Sequence, residues 1–177
     1  MTHINIEKCQ ITHYPADVLA GDAAPVDEIN DNIRDLIEKM TDIMLKNKGI
    51  GLAAPQIGVA LRLFVISLDG TRKNRKVYIN PTVTPTGDLS AMDEGCLSVP
   101  GVYTKIRRFT KCKVTATDIE GKEFTEEGEG LYARALQHEY DHINGLTIVN
   151  RMDHTAKIVH RKQLKKLEKE HKHKREA

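Results

Sequence analysis

Between Asp27 and Leu45 apolar residues return every three or four positions, at Ile29, Ile33, Leu36, Ile37, Met40, Ile43 and Met44. That spacing gathers them on one side of a helix and predicts an α-helix over Asp27 to Leu45. Asp31, Asp35, Glu38 and Asp42 fall mostly on the other side and read as solvated surface. Runs rich in β-branched residues predict strands at Arg62–Ser67, Lys76–Asn80, Val102–Ile106, Lys111–Asp118 and Glu123–Thr125. Turn signals at Asp69-Gly70, Gly87-Asp88 and Glu120-Gly121 separate some of them.

A second helix is expected downstream. Gly128, Glu129 and Gly130 break the chain, and Leu131, Ala133, Ala135 and Leu136 then supply strong helix formers. Gly145 is placed where a left-handed cap ends the helix. Leu131, Ala135, His138 and His142 share one stripe, so both imidazoles are expected to face inward. A last helix follows Asp153, a natural N-cap, with Ile158, Val159, Leu164 and Leu167 as a modest apolar stripe. It is expected to dock by its first half and fray into a solvated tail. A helix, several strands and further helices make an α+β domain.

The second helix carries the chemistry. Gln137-His138-Glu139-Tyr140-Asp141-His142 contains the pattern H-E-x-x-H. Residues four apart lie on one helix face, so His138 and His142 can present two imidazoles to one divalent metal, with Glu139 beside them as general acid and base. Catalytic metal sites usually keep three protein ligands. In one large group of metalloproteases the third is a histidine six residues past the second, but that position here is Ile148. Asp153, His154, His160, Glu168 and Glu170 lie downstream in a basic segment that reads as solvated helix. Upstream, Cys96 sits within Glu94-Gly95-Cys96-Leu97-Ser98. A thiolate with two imidazoles suits iron(II), zinc, cobalt or nickel.

Three segments together resemble the peptide deformylase family. Gly49-Ile50-Gly51-Leu52-Ala53-Ala54-Pro55-Gln56 matches G-x-G-x-A-A-x-Q, Glu94 to Ser98 matches E-G-C-x-S, and Gln137 to His142 matches Q-H-E-x-D-H, in the family's order. The resemblance runs from Tyr14-Pro15 to about Arg151. It implies antiparallel sheets packed around the central helix that bears the H-E-x-x-H motif, with an amino-terminal and a carboxyl-terminal helix. It implies a metal held by Cys96, His138 and His142, Fe2+ in the cell, with Zn2+, Ni2+ or Co2+ able to occupy a purified sample. It implies removal of the formyl group from N-formylmethionyl nascent polypeptides, with release of formate. Glu139 would move the proton, and the Gln56 amide and Leu97 N–H would stabilise the charge on the formyl oxygen. Gly49, Ile50, Gly51, Glu94, Leu131, Arg134 and Ala135 match positions of the substrate cleft. Arg134 could line the pocket mouth or point to solvent, and Tyr103 could stand at the entrance.

Composition sets the frame. The 177 residues suit one domain, with 1–152 as its catalytic part and 153–177 as a basic tail. Three widely spaced cysteines argue against a disulfide framework, and Cys112, alternating with Val114 and Ala116, reads as a small core residue. No eighteen-residue apolar run is present, and the first residues lack the pattern of a signal peptide, so a cytoplasmic protein is expected. Residues 151–177 carry ten Lys or Arg against four Asp or Glu, net +6, whereas 1–150 carry seventeen against twenty-one, net −4. The basic end is a candidate contact for ribosomal RNA; neither DNA nor membrane is expected as a partner.

Other classes stay open at this level. A metalloprotease would cut blocked, unformylated peptides, and the residue at Ile148 speaks against it. A structural metal module would close the fourth position with a protein ligand, for which no good candidate stands out. A relative acting on other N-acyl groups would keep the chemistry and change the pocket.

Overall fold

A computed structural model describes residues 4–176. The first regular helix, α1, covers Asp31–Lys46 and buries Ile33, Leu36, Ile37, Met40, Thr41 and Met44. It starts later than its apolar spacing suggests because Asn30 caps it, its side chain accepting from the Ile33 N–H at 3.1 Å. The residues before it are held back by Asn80, whose amide bonds both the N–H and the carbonyl of Val26 at 2.8 Å.

Five antiparallel strands form one sheet in the order β1-β2-β3-β4-β5. They are β1 Gly51–Ala53, β2 Leu63–Ile66, β3 Lys76–Gly95, β4 Tyr103–Thr117 and β5 Glu123–Glu129. The sequence pattern missed β1 and broke the long strands. Gly87-Asp88 is not a turn but a bulge inside β3: Gly87 has φ +78° and the register with β4 shifts between Thr86 and Leu89. A second shift between Ile79 and Thr82 accommodates Pro81, which has no N–H for the ladder. Likewise β4 runs unbroken through Arg107-Arg108, where polar residues hide an inward-facing position: Arg108 is buried between Ile106 and Cys112.

The H-E-x-x-H helix, α2, covers Gly130–Ile143 and starts directly where β5 ends, so Gly128 and Glu129 belong to the strand. Leu131, expected inside, is half exposed. A Schellman turn closes the helix, with Gly145 at φ +70°, Leu146 N–H on the Asp141 carbonyl and Gly145 N–H on that of His142. A β-carbon at Gly145 would stand 2.8 Å from the Ala20 carbonyl oxygen. Apolar residues of α1, β1 and β2 form one core cluster, while Phe64, Tyr78, Val114, Ala133 and Leu136 join α2 to the sheet in another. Cys112, Val114 and Ala116 are all buried in that second cluster.

Two helices follow, α3 at Ile148–Arg151 and α4 at His154–Glu176. Asp153 caps α4, accepting from the Ala156 N–H at 2.7 Å. The apolar stripe is narrower than expected: Leu164 and Leu167 are buried with Val99, Val102 and Ile106, whereas Ile158 and Val159 are exposed. Contact continues past the middle, since Tyr14 bonds Glu168 at 3.3 Å and Arg175 meets Asp17 at 3.5 Å. The expectation of docking by the first half alone is therefore corrected. No helix among the described residues is long and apolar enough to cross a membrane.

Candidate metal centre and substrate cleft

The two histidines stand one turn apart on α2, with their Nε2 atoms 3.3 Å from each other. Cys96, in the loop after β3, brings its sulfur 3.3 Å from His142 Nε2. All three ligand atoms lie within 4.8 Å of one another, and no other cluster of this kind occurs among the described residues. The cysteine and His138 are half-buried; His142 is buried. One soft sulfur and two imidazole nitrogens converging on one point form a donor set that fits a single divalent transition metal.

The surroundings prepare these ligands. Glu94 Oε2 lies 3.0 Å from His138 Nδ1, which directs the Nε2 lone pair toward the centre. Burial opposes the charge of Glu94, but the bonds from His138 and Arg108 outweigh it and hold the carboxyl at about 2. Burial pushes the His142 ring well below the ordinary range, so it stays neutral. Glu139 is buried on the same helix, and burial pushes its carboxyl up to about 7. Its Oε2 has no hydrogen-bond partner among the described residues. A buried carboxyl with a free oxygen beside a metal-ligand cluster is suited to receive and return a proton.

Gln56 ends the first motif in a short 3-10 turn, Ala54–Ile57. The Ala53 N–H donates to its Oε1 at 2.8 Å, which turns the amide nitrogen toward the centre, 3.5 Å from the Cys96 sulfur. The amide therefore presents an N–H donor beside the three candidate ligands.

A cleft of about 540 Å³ opens in front. Gly49, Ile50, Gly51, Gln56, Glu94, Cys96, Leu97, Tyr103, Leu131, Arg134, Ala135, His138 and Glu139 all line it; His142 lies behind. The glycines are explained by close neighbours. A β-carbon at Gly49 would stand 3.1 Å from Leu97 Cδ1, and one at Gly51 would stand 2.8 Å from Glu139 Cδ. Tyr103 is 76 % exposed on the rim, its ring laid against Gly95. Arg134 lines the cleft, as one of the two expectations had it, but not as a free charge at the mouth, and it does not point to solvent. Its guanidinium is buried, bonding Glu94 at 2.6 Å and the carbonyls of Ile106 and Ser90 at 2.9 and 2.8 Å.

Pattern reading overlooked Arg108, Arg151 and the part played by Asp141. Arg108 is buried and bonds both Glu94 and Asp141, while Arg151 bonds Asp141 from α3. The only sequence signal was an acidic residue inside the helical motif with no solvent face to occupy.

The polypeptide deformylase family model matches residues 8–157. A peptide deformylase of Chromobacterium violaceum is 40% identical over 160 residues, which cover 90% of this chain and 96% of that protein. A peptide deformylase crystal structure from Legionella pneumophila superposes with a TM-score of 0.85 at 40% identity, covering 91% of this chain and 95% of the other. One of Arabidopsis thaliana peptide deformylase 1B reaches 0.90 at 34% identity, covering 95% and 94%. With three motif segments folded onto one cleft and these likenesses spanning most of its length, the chain belongs to the polypeptide deformylase family.

Proposed function

We propose that this protein is a metal-dependent hydrolase that removes the formyl group from the amino-terminal formylmethionine of newly made polypeptides, releasing formate. The observation that carries the reading is the convergence of Cys96, His138 and His142 beside the buried carboxyl of Glu139, at the end of an open cleft. Cys96, His138 and His142 would hold the metal. A divalent ion held there supplies Lewis-acid polarisation of a carbonyl and brings the pKa of water toward neutrality. Glu139 takes a proton from the attacking water and delivers it to the leaving amine. The Gln56 amide and the Leu97 N–H donate to the formyl oxygen as charge builds on it.

The cleft orders the rest of the substrate. Gly49 and Gly51, on either side of Ile50, leave the main chain bare along one wall, where an extended peptide can pair in strand fashion. Ile50, Leu131 and Ala135 give the first side chain apolar company. Glu94 and Arg134 contribute beneath that surface, tied to each other, with Glu94 also tied to His138. Tyr103 bounds the entrance. Iron(II) is the metal assigned for the cell, with zinc, nickel or cobalt as substitutes, and the substrate class points to the cytoplasm.

The test is formate release from formyl-Met-Ala-Ser by protein loaded anaerobically with iron(II), or with nickel, beside Glu139→Ala. Rapid release by the parent and near-silence in the variant are expected. Absence of release at full metal occupancy overturns the reading.

The exposed basic residues at the end of α4, among them Lys169, Lys172 and Lys174, support a ribosome contact through RNA phosphates. Ribosome binding that weakens with salt and disappears on deletion of residues 168–177 is expected. Binding unchanged by the deletion removes this part of the reading.

A further inference from the structure

Arg108 occupies an inward position of β4 between buried Ile106 and Cys112, and its side chain is 3% exposed. Three of its N–H groups are taken by two carboxylates. Nε donates to Glu94 Oε1 at 2.7 Å, Nη2 to Glu94 Oε2 at 3.0 Å and Nη1 to Asp141 Oδ2 at 2.8 Å. The acceptors belong to different parts of the chain. Glu94 lies at the end of β3, two residues before Cys96; Asp141 lies on α2, immediately before His142 and three residues after His138.

The guanidinium thus spans the two segments that bring the sulfur and the imidazoles together. Its planar fork defines angle as well as distance, which a compact ammonium does not. The strand beneath it is pinned to the same helix, since the Gln137 side chain bonds both the N–H and the carbonyl of Phe109, at 3.1 and 2.8 Å. The other arginines do less. Arg151 reaches Asp141 alone, and Arg134 reaches Glu94 from one turn before His138.

We infer that Arg108 is a positioning residue which, by bridging Glu94 and Asp141, sets the spacing between the Cys96 sulfur and the imidazoles of His138 and His142. The inference rests on the metal reading proposed above and adds to it the element that holds the ligand set in register. Arg134 still ties Glu94 to α2 when the Arg108 bridge is weakened, so the fold closes while the thiolate is free to shift.

The experiment loads the protein with cobalt(II), whose visible absorption reports thiolate coordination and geometry. The parent is compared with Arg108→Met, with Arg108→Lys, which keeps the charge but cannot fork to two carboxylates, and with Asn80→Ala. The last removes two bonds to the Val26 backbone and serves as a destabilised control. Loss of an outer-shell partner typically costs about 10- to 100-fold in metal affinity. Arg108→Lys is expected to hold cobalt weaker by about that factor in competition with a chelator, with an altered absorption spectrum. Asn80→Ala is expected to melt earlier and keep the parental spectrum and affinity. Should Arg108→Met fail to fold, Arg108→Lys decides alone. Parental cobalt affinity and spectrum in folded Arg108→Lys overturn the inference and leave the metal reading standing. A parent that takes up no cobalt overturns both.

Discussion

Gly51 lies against the carboxyl group of Glu139: a β-carbon at Gly51 would stand 2.8 Å from Glu139 Cδ and 2.9 Å from its Cγ. The first motif therefore leaves the space in which the third motif's carboxyl sits. Gly51→Ala must push Glu139 aside, and a misplacement of about 1 Å at a reacting centre costs on the order of 100-fold in rate. We expect kcat/KM for a formylated peptide to fall by about that factor. Far-UV circular dichroism should remain parental. A Gly51→Ala protein with full activity would show that Glu139 does not need this place.

Gln56 is oriented by one bond and turns its other end toward the centre. Because the Ala53 N–H holds Oε1, the nitrogen faces the Cys96 sulfur. Gln56→Ala should lower kcat by roughly 100- to 1000-fold while changing KM little, as expected for a donor that acts mainly in the transition state. Steady-state kinetics on a formylated tripeptide separate the two. A rise in KM with kcat intact would reassign Gln56 to ground-state binding.

Arg134→Met removes the donor shared by Glu94, Ile106 and Ser90, leaving the buried Ile106 carbonyl and the half-buried Ser90 carbonyl short of a partner. Each such loss costs about 1–3 kcal/mol. For a chain of this size a melting temperature lower by roughly 4–24 °C is expected, from about 2–4 °C per kcal/mol over the two losses. An unchanged melting curve would mean that water replaces the guanidinium at no cost.

Removing the metal should destabilise as well as silence the protein, because an ion that binds only the folded chain stabilises it by mass action, about 2.7 kcal/mol at one hundred times Kd. Chelator-treated protein should melt lower by several degrees, and added cobalt or nickel should restore both the melting temperature and formate release. Cys96→Ala should melt at the same temperature with and without added metal. Equal melting of the treated and loaded parent proteins would argue against a metal at Cys96, His138 and His142.

The turn after β2 makes an independent prediction about pH. Asp69 accepts from the Asn74 amide, from the Thr71 N–H at 3.0 Å and from the Thr71 hydroxyl at 2.9 Å. The bonds from Asn74 and then Thr71 hold its carboxyl at about 2, below the ordinary 3.8. A folded pKa lower than the unfolded one stabilises the turn above the ordinary value and loses that contribution as pH falls through the lower one. A carboxyl-carbon NMR titration should show Asp69 protonating near pH 2, together with a shift of the Thr71 amide. A midpoint at 3.8 would show that the turn does not hold the carboxylate.

Much of this site is a matter of short-range spacing, which a sequence displays openly. His138 and His142 share a helix face because helices repeat every 3.6 residues, and Gly145 ends that helix because only a residue without a side chain suits its left-handed turn beside Ala20. The helical character of α1 and the core position of Cys112 follow from the same periodic logic. Where the local pattern was interrupted, boundaries went astray. Gly87 and Pro81 look like strand breakers but sit at bulges in a strand held by pairing with β4, and Arg107-Arg108 looks like surface but lies within a continuous strand.

By itself, then, the sequence determined the helices with a clear apolar stripe, the ligand types and the family, since each depends on residues near one another or on motifs read in order. Tertiary structure brought Cys96 to the histidines across forty-odd residues, as its motif led one to expect, and it alone decided that Gly51 makes room for Glu139 and that Arg134 turns inward. It alone decided that Arg108 joins Glu94 to Asp141. The physical reason is that a buried charge is tolerated only where partners from distant segments satisfy it, and no spacing along the chain records which segments those are.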